Sequence, residues 1–126
     1  MNEAELQKVV DAWIAAANAE SGSPEHTNNW WAVSQVFDWI YEDESELLWR
    51  FILAAYKREL SDKALAVLAA GPLEDLLSKF GPNYINRVEE LAAGDEQFNW
   101  LLGGVWQLGM TDEVWARVQS ARREVW

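Results

Sequence analysis

Apolar residues recur every three or four positions along nearly the whole chain, which is the spacing of a helix with one buried face. The first such stripe comprises Leu6, Val9, Val10, Trp13, Ile14 and Ala17. This helix is predicted to end near Asn18, because Ser-Gly-Ser-Pro follows at 21–24. Residues 21–28 are therefore expected to form the longest loop of the chain.

A second predicted helix, over about 29–42, carries aromatic residues on two sides. Its expected buried face comprises Trp30, Val33, Phe37, Ile40 and Tyr41, with Val36 alongside. The polar side comprises Ser34, Gln35, Asp38 and Glu42, and Trp31 projects among them. A tryptophan in this position either covers a neighbouring loop, which is the favoured interpretation, or contacts a partner.

A third predicted helix, over about 44–60, is apolar on most of its circumference. One stripe comprises Leu47, Leu48, Phe51, Ile52 and Ala55, and a second comprises Trp49, Leu53, Tyr56 and Leu60. A helix that is apolar on so many sides is typical of a central position, so we expect it to lie between other helices.

Short amphipathic stretches fill the rest of the chain. Gly71-Pro72 and Gly81-Pro82 are predicted to end helices. Predicted N-caps are Ser61, Asp95 and Thr111. No segment alternates apolar and polar residues for long enough to form a strand. The chain, residues 1–126, is predicted to be a single all-α domain of about eight short helices, packed as antiparallel hairpins in an α–α layered, short solenoid-like arrangement.

Gly103 and Gly104 are predicted to lie inside the seventh helix, where each glycine costs roughly 1 kcal/mol relative to alanine. They flank Trp100 on the face opposite the core stripe. Either another helix packs closely there, or Trp100 lies over an open slot that accepts a ligand or a peptide. Close packing is the favoured interpretation.

Charge is concentrated at the start of the chain, which has nine tryptophans and a formal net charge of -11. Residues 1–46, the acidic lobe, carry ten acids against Lys8 alone, whereas residues 47–126, the helical core, carry eleven acids and nine bases. A lobe of one sign repels nucleic acid and anionic membranes and attracts basic partners. Alternatively, it only keeps the protein soluble.

The composition also restricts the compartment and the chemistry. The chain has no cysteine, which excludes disulfides, thiolate nucleophiles and the common zinc sites. No apolar run approaches the roughly 18–20 residues that span a bilayer. Because the first residues are acidic and amphipathic rather than signal-like, a bacterial-type cytoplasmic location is predicted.

No set of residues matches a catalytic or metal-binding motif. His26 is the single histidine and lies in the predicted loop, where only the loop serines are candidates for its nucleophile. Asp38 and Glu42 share a helix face and could chelate a hard cation, with Glu89-Glu90 and Asp95-Glu96 as further ligands, but no matching spacing appears. No catalytic residue, metal site or cofactor is therefore predicted.

A second group of acids follows the first Gly-Pro pair. Glu74 and Asp75 lie at a predicted helix start, where the helix dipole stabilises acids. Arg87 and Glu89 are expected to join Glu74 or Asp75 in an ion-pair network, and a polar ligand cleft is the alternative.

Several segments in the second half resemble a known family. The run Leu68-Ala-Ala-Gly-Pro-Leu-Glu-Asp-Leu-Leu77 is followed by Phe80-Gly81, then by Tyr84-Ile-Asn-Arg-Val-Glu89 and Leu101-Leu-Gly-Gly-Val-Trp-Gln107. This pattern resembles a bacterial helical domain family of unknown function over roughly residues 40–126. Asn86 stands where that pattern has an acid. The resemblance implies a helical cytoplasmic domain and no particular activity.

These observations favour a non-enzymatic protein that binds a basic partner and no nucleic acid or membrane directly. The concrete form is an immunity-type or inhibitor protein that neutralises a toxin, a nuclease or another nucleic-acid-binding protein. Trp31 is the predicted anchor, and the predicted steering acids are Asp38, Glu42, Asp43, Glu44 and Glu46. The alternatives are a hydrolase with a carboxylate-held divalent metal and a passive structural or adaptor module.

Overall fold

The computed structural model describes residues 1–126 and is all-α, which confirms the predicted fold class. The α-helices are α1 Glu3–Asn18, α2 Pro24–Tyr41, α3 Ser45–Tyr56, α4 Asp62–Leu68, α5 Glu74–Gly94, α6 Glu96–Leu102 and α7 Asp112–Ala121. A π-helical segment, Ala69–Leu73, joins α4 to α5 without a break. The chain therefore has six separate helices, and the predicted eight are too many.

The two predicted Gly-Pro breaks are wrong, because the helix runs through both. In the π-helical segment the Glu74 N–H reaches back to the Ala69 carbonyl, five residues earlier, so the wider turn accommodates Pro72. Pro82 lies inside α5. Buried residues on both sides of each proline keep the helix continuous, and this packing outweighs the local preference to stop.

The chain folds as two compact units, Met1–Leu65 and Ala66–Trp126. In the first unit, α1 packs on α2 and both contact α3. Aromatic rings join the three helices: Phe51 of α3 meets Trp13 of α1 edge-on, with centroids 5.5 Å apart, and lies 6.1 Å from the Trp39 ring of α2. The whole acidic lobe, residues 1–46, lies in this unit.

In the second unit, α6 and α7 pack on α5. Gly81 permits close approach, because a Cβ there would meet the Val114 methyls of α7 at 3.0 and 3.1 Å. Asn99 is buried, and its amide donates to the carbonyls of Ala92 and Ala121, which ties α6 to the C-terminal ends of α5 and α7. No helix in the chain is both long and apolar enough to cross a membrane.

Helix α2 starts five residues earlier than predicted. The Ser23 side chain accepts a hydrogen bond from the His26 N–H, and Pro24 occupies the first turn. A serine followed by proline is a normal helix start, so the local signal for this cap is present in the sequence. The connection between α1 and α2 is correspondingly short, and His26 belongs to a helix rather than a loop.

The predicted buried face of α2 is wrong except for Val36. The buried residues are Ala32, Val36 and Trp39. Trp30 and Phe37, predicted to be core, are 44% and 43% exposed, and Tyr41 is 77% exposed. The face with Ala32, Val36 and Trp39 lies against the rest of the first unit, where the Trp39 ring meets Phe51 of α3. The rings of the opposite face therefore stay exposed.

Candidate functional site

The outward side of α2 carries a stripe of exposed aromatic rings, which we call the α2 aromatic stripe: Trp30, Phe37 and Tyr41. The spacings of seven and four residues place the three rings on one helix face. That face lies opposite buried Trp39 and Ala32. Three large rings remain exposed along one helix face.

Trp31 flanks this stripe and is 51% exposed. Asp38 and Glu42 follow seven and eleven residues later, so they project from the same side of α2, and both are exposed. The structure therefore places the predicted anchor, Trp31, in line with two of the predicted steering acids.

The other predicted acids follow directly. Glu42, Asp43, Glu44 and Glu46 are all exposed, at the turn between α2 and α3. Glu46 lies in the first turn of α3, where the helix dipole favours an acid. Glu42 and Asp43 lie at the C-terminal end of α2, where the dipole disfavours acids, and no base occupies the last turn of that helix. Helix electrostatics therefore explain only part of this cluster.

Asp43 has a left-handed backbone, with φ +58°. The Glu44 N–H donates to the Trp39 carbonyl at 2.8 Å, and the Asp43 N–H donates to the Ile40 carbonyl at 3.4 Å. This pair of bonds is a Schellman end, in which glycine is the usual residue at the left-handed position. The chain therefore keeps an acid at a position where glycine would be less strained.

The bases of the first unit lie elsewhere. No lysine or arginine occurs between Lys8 and Arg50. Arg50, Lys57 and Arg58 line an open groove of about 380 Å³ with residues of α1 and α3. Arg58 pairs with Asp11 at 2.7 Å and also donates to the Gln7 side chain. The outer side of α2 thus carries acids and aromatic rings and no lysine or arginine, whereas the groove carries three bases.

In the second unit, the predicted slot at Trp100, Gly103 and Gly104 has a different construction. The two glycines do not lie inside a helix: α6 ends at Leu102, and Gly103 is its C-cap. A Cβ on Gly103 would come within 2.2 Å of the Glu124 carbonyl oxygen, and one on Gly104 within 2.6 Å of the Trp126 ring. Residues 122–126 fill most of the space over both glycines. The π-helical segment also packs there, because a Cβ on Gly104 would come within 2.9 Å of the Ala69 Cβ.

Three contacts hold Trp126 against Trp100 and Gly103. Its ring stacks on Trp100, with centroids 5.8 Å apart and an interplanar angle of 20°. Its Nε1–H donates to the Trp100 carbonyl at 2.7 Å, and its backbone N–H donates to the Gly103 carbonyl at 3.0 Å. The close packing at these glycines accounts for the absence of side chains there.

Trp106 of this unit is also held in place, by contacts to its backbone and to its ring. The peptide that joins Val105 to Trp106 donates its N–H to the buried Glu74 carboxylate at 2.8 Å, and its carbonyl accepts from Arg122 at 3.0 Å. The Arg122 guanidinium also lies over the rings of Trp106 and Trp115, 5.4 and 4.9 Å from their centroids. Trp106 is 51% exposed, yet its backbone and its ring both have fixed partners.

The predicted ion pairs around Glu74 differ from those found. Glu89 accepts from the Arg117 Nε at 3.0 Å, across α5 and α7, and this bond holds the pKa of Glu89 below its usual value. Glu74 instead caps the Trp106 peptide. Burial, and then the charge of Glu74, raise the pKa of Asp75.

The remaining chemistry is sparse. The His26 ring lies 5.0 Å from the Trp30 ring, so it belongs to the N-terminal end of the aromatic surface. No group of three or more histidine, aspartate or glutamate side chains is arranged to hold a metal ion. The structure therefore offers α2 and the turn after it as the most developed candidate site.

The fold and this surface together define a class of protein: it is all-helical, and one helix presents acids and aromatic rings on its outer face. The chain belongs to the family of unknown function DUF6869, whose pattern matches residues 19–125. This confirms the predicted resemblance and extends it toward the start of the chain, so that α2 lies within the family region. No curated protein and no solved structure matches the chain.

Sequence reasoning misses three members of the candidate site. It places Trp30, Phe37 and Tyr41 in the core because they are large and apolar and share a helix face. The opposite signal is available, since Ala32, Val36 and Trp39 form a second apolar face on the same helix. A helix with two apolar faces needs a neighbour for each, and the first unit supplies a buried environment for only one.

Proposed function

We propose that this chain is a non-enzymatic protein-binding domain that docks the surface formed by α2 and residues 42–46 on a basic partner. In its concrete form it is an immunity-type or inhibitor protein, and its target is a toxin, a nuclease or another nucleic-acid-binding protein. Such targets carry basic surfaces that bind phosphates, and an acidic protein can cover them.

One observation carries this proposal: exposed aromatic rings and exposed acids share α2, and no base lies among them. Protein interfaces are enriched in tryptophan and tyrosine, which bury large areas and lose little conformational entropy. A surface that served only solubility would be charged and would not need four large rings on one helix.

The two parts of the surface have different roles in binding. Asp38, Glu42, Asp43, Glu44 and Glu46 attract the basic partner and raise the association rate. Trp31 and the α2 aromatic stripe are then buried against the partner and lower the dissociation rate. Acids of one sign give a rate that falls steeply as salt rises.

Local strain in the surface supports the same proposal. Asp43 occupies a left-handed position, and Glu42 lies at the unfavourable end of the helix dipole. The position of Glu42 lowers the stability of the free protein, and a role in partner binding accounts for retaining this acid.

The experiment begins with capture from a lysate of the native cells at low and high salt, read by mass spectrometry. The captured protein is then purified, and its association rate is measured for two matched variants. The test variant is Asp38→Asn/Glu42→Gln/Glu44→Gln, and the control is Glu59→Gln/Glu90→Gln/Glu113→Gln, which removes the same charge from exposed positions elsewhere.

The test variant should associate at least about tenfold more slowly at low salt, with a weaker salt dependence. The control should change the rate by less than about twofold, because its charges lie outside the proposed surface. Equal effects of the two variants would show that only total charge matters, and the docking proposal would then fail.

A further inference from the structure

The α2 aromatic stripe can be characterised further by what fits against it. Its rings project from the convex side of a helix, and the open grooves beside α3, α5 and α6 are lined by other residues. A small ligand needs a concave site that buries most of its surface. A convex ridge of side chains instead packs into the grooves of another helix. Shape therefore favours a helical partner element.

The charges around the stripe indicate where this element is basic. Asp38 lies beside the stripe, about 80° from Trp30 around the helix, and the acidic residues 42–44 lie at the C-terminal end of α2. Glu25, at the N-terminal end, lies about 140° from Trp30 and does not share the face of the stripe. A complementary helix thus has apolar residues along the stripe and bases toward the end that meets residues 42–44.

Aromatic faces can also receive cations directly. In the second unit of the same chain, Arg122 lies over Trp106 and Trp115, and Arg87 lies 4.9 Å from the Tyr84 centroid. Trp30, Phe37 and Tyr41 present similar rings with large exposed fractions. An arginine of the partner would gain both a ring contact on the stripe and the attraction of nearby carboxylates.

The same charges argue against a membrane as the occupant. Helices that lie on anionic membranes have lysine and arginine beside their apolar face. α2 has no lysine or arginine, and its carboxylates, Glu25 and Asp38, are acids that such a membrane would repel.

We infer that the α2 aromatic stripe receives a basic amphipathic helix of the partner protein, with arginine or lysine toward the end that meets residues 42–44. This inference rests on the proposed function and specifies its partner. The helix would lie along α2, with its apolar residues on Trp30 and Phe37 and its basic residues near Asp38 and Glu42.

The probe is a fluorescently labelled synthetic peptide of about 18 residues, made of leucine, alanine and arginine. Its leucines follow helical spacing along one face, and its arginines lie at one end beside that face. A control peptide has the same composition in an order that spreads the leucines around the helix. Fluorescence anisotropy gives the dissociation constants, and the indole N–H resonance of Trp30 reports binding at the stripe.

Two protein variants accompany the peptides. Trp30→Gln/Phe37→Gln/Tyr41→Gln removes the stripe, and Val67→Gln/Leu108→Gln removes exposed apolar side chains in the second unit. Thermal unfolding verifies that each variant folds. The stripe variant should weaken binding of the ordered peptide at least about tenfold, and the control variant less than about twofold. The shuffled peptide should bind at least about tenfold more weakly to the unmodified protein.

Equal affinity for both peptides, or an unchanged affinity of the stripe variant, would overturn the inference. The proposed function would survive such a result if the Asp38→Asn/Glu42→Gln/Glu44→Gln variant still slowed association with the captured partner. Conversely, if that charge variant had no effect on the partner, the proposed function would fail whatever the peptides showed.

Discussion

Trp31 in α2 and Trp106 in the second unit are equally exposed, at 51% each, but they are held very differently. Trp106 has a buried carboxylate on its N–H and a guanidinium over its ring. Trp31 lies beside Asp38 and Glu42 on an outer helix face and has no comparable clamp. Exposure alone therefore does not distinguish a tryptophan that serves the fold from one available to a partner; its internal contacts do.

The same contrast extends to the neighbouring tryptophans. Trp100 is 41% exposed and stacks on Trp126, whereas Trp30 is 44% exposed and has only the His26 ring beside it among the aromatic contacts. In the second unit, exposed rings are paired with each other or with arginine. In the first, they form a stripe along α2. The first unit is thus the better candidate for binding, and the second unit for internal stabilisation.

The largest expected effect comes from disrupting the contact between Gly103 and residues 122–126 in the second unit. Gly103→Ala would place a Cβ within 2.2 Å of the Glu124 carbonyl, so residues 122–126 must move. We expect a loss of about 2–3 kcal/mol in the free energy of unfolding, measured by chemical denaturation. The near-ultraviolet circular dichroism of the stacked Trp100–Trp126 pair should weaken in parallel.

Gly71→Ala is the matched control for that substitution. Nothing lies within 4 Å of a Cβ at Gly71, which is inside the long helix. Alanine should therefore add about 0.5–1 kcal/mol of stability. A similar loss at both positions would show that the glycines act through the backbone and not through the contact with residues 122–126.

A direct comparison of the two equally exposed tryptophans should give the next largest effect. Trp106→Gln removes the cation–π contact with Arg122, and we expect it to lower the free energy of unfolding by about 1–2 kcal/mol. Trp31→Gln should change it by less than about 0.5 kcal/mol. Urea denaturation measures both free energies of unfolding. Equal losses for the two variants would contradict the view that internal contacts hold Trp106 and leave Trp31 available to a partner.

Asp43 provides a smaller and sharper test. Asp43→Gly relieves the left-handed strain and should raise the free energy of unfolding by about 0.5–1 kcal/mol. Asp43→Asn keeps a side chain that tolerates this conformation and should leave stability nearly unchanged. Both remove one charge, so both should slow association with the partner. Faster association of either variant would contradict a steering role for Asp43.

The smallest effect is expected from two carboxylates of the second unit, which respond to pH in opposite directions. Burial raises the pKa of Asp75, so the folded state binds this proton more tightly than the unfolded state. The contribution of Asp75 to stability therefore falls as pH rises from its usual pKa through the raised one. Asp75→Asn should raise the melting temperature at neutral pH by about 2–4 °C, and the gain should vanish in acid.

Glu89→Gln is the control with the opposite sign. The bond from Arg117 lowers the pKa of Glu89, so its contribution is present above its usual pKa and is lost as pH falls through the lowered one. The variant should melt at a lower temperature than the unmodified protein at neutral pH, and the two should converge in acid. Calorimetry across this range measures both substitutions.

Local signals in the sequence predict local structure well. The N-caps at Ser61, Asp95 and Thr111 are confirmed, and each side chain accepts from a backbone N–H three residues later. The end of α1 at Asn18 is confirmed as well. These features depend on a few neighbouring residues, so the sequence contains all the information they need.

Features that depend on distant residues are not predictable in the same way. The choice between the two apolar faces of α2 depends on which face the rest of the first unit covers, including Phe51 of α3 beside Trp39. The partner of Gly103, Glu124, follows the end of α7, far along the sequence. The helix continues through Pro72 because of packing within the second unit and because the π-helical turn closes its hydrogen bond across five residues. In each case tertiary contacts outweigh local preference.

The π-helical turn at Ala69–Leu73 affects how the long helix responds to the loss of a residue. Because this turn holds one more residue than an α-helical turn, it sets the rotational phase between the flanking stretches. Deleting Ala70, which is exposed, would convert this turn to an α-helical one and leave the flanking stretches in nearly the same rotational phase, so Leu76, Leu77 and Ile85 would stay in the interior. A deletion within the α-helical part of α5 has no extra residue to absorb and would rotate the following residues by roughly 100°. The π-helical turn is thus a point where the long helix can lose one residue with little disturbance of the core.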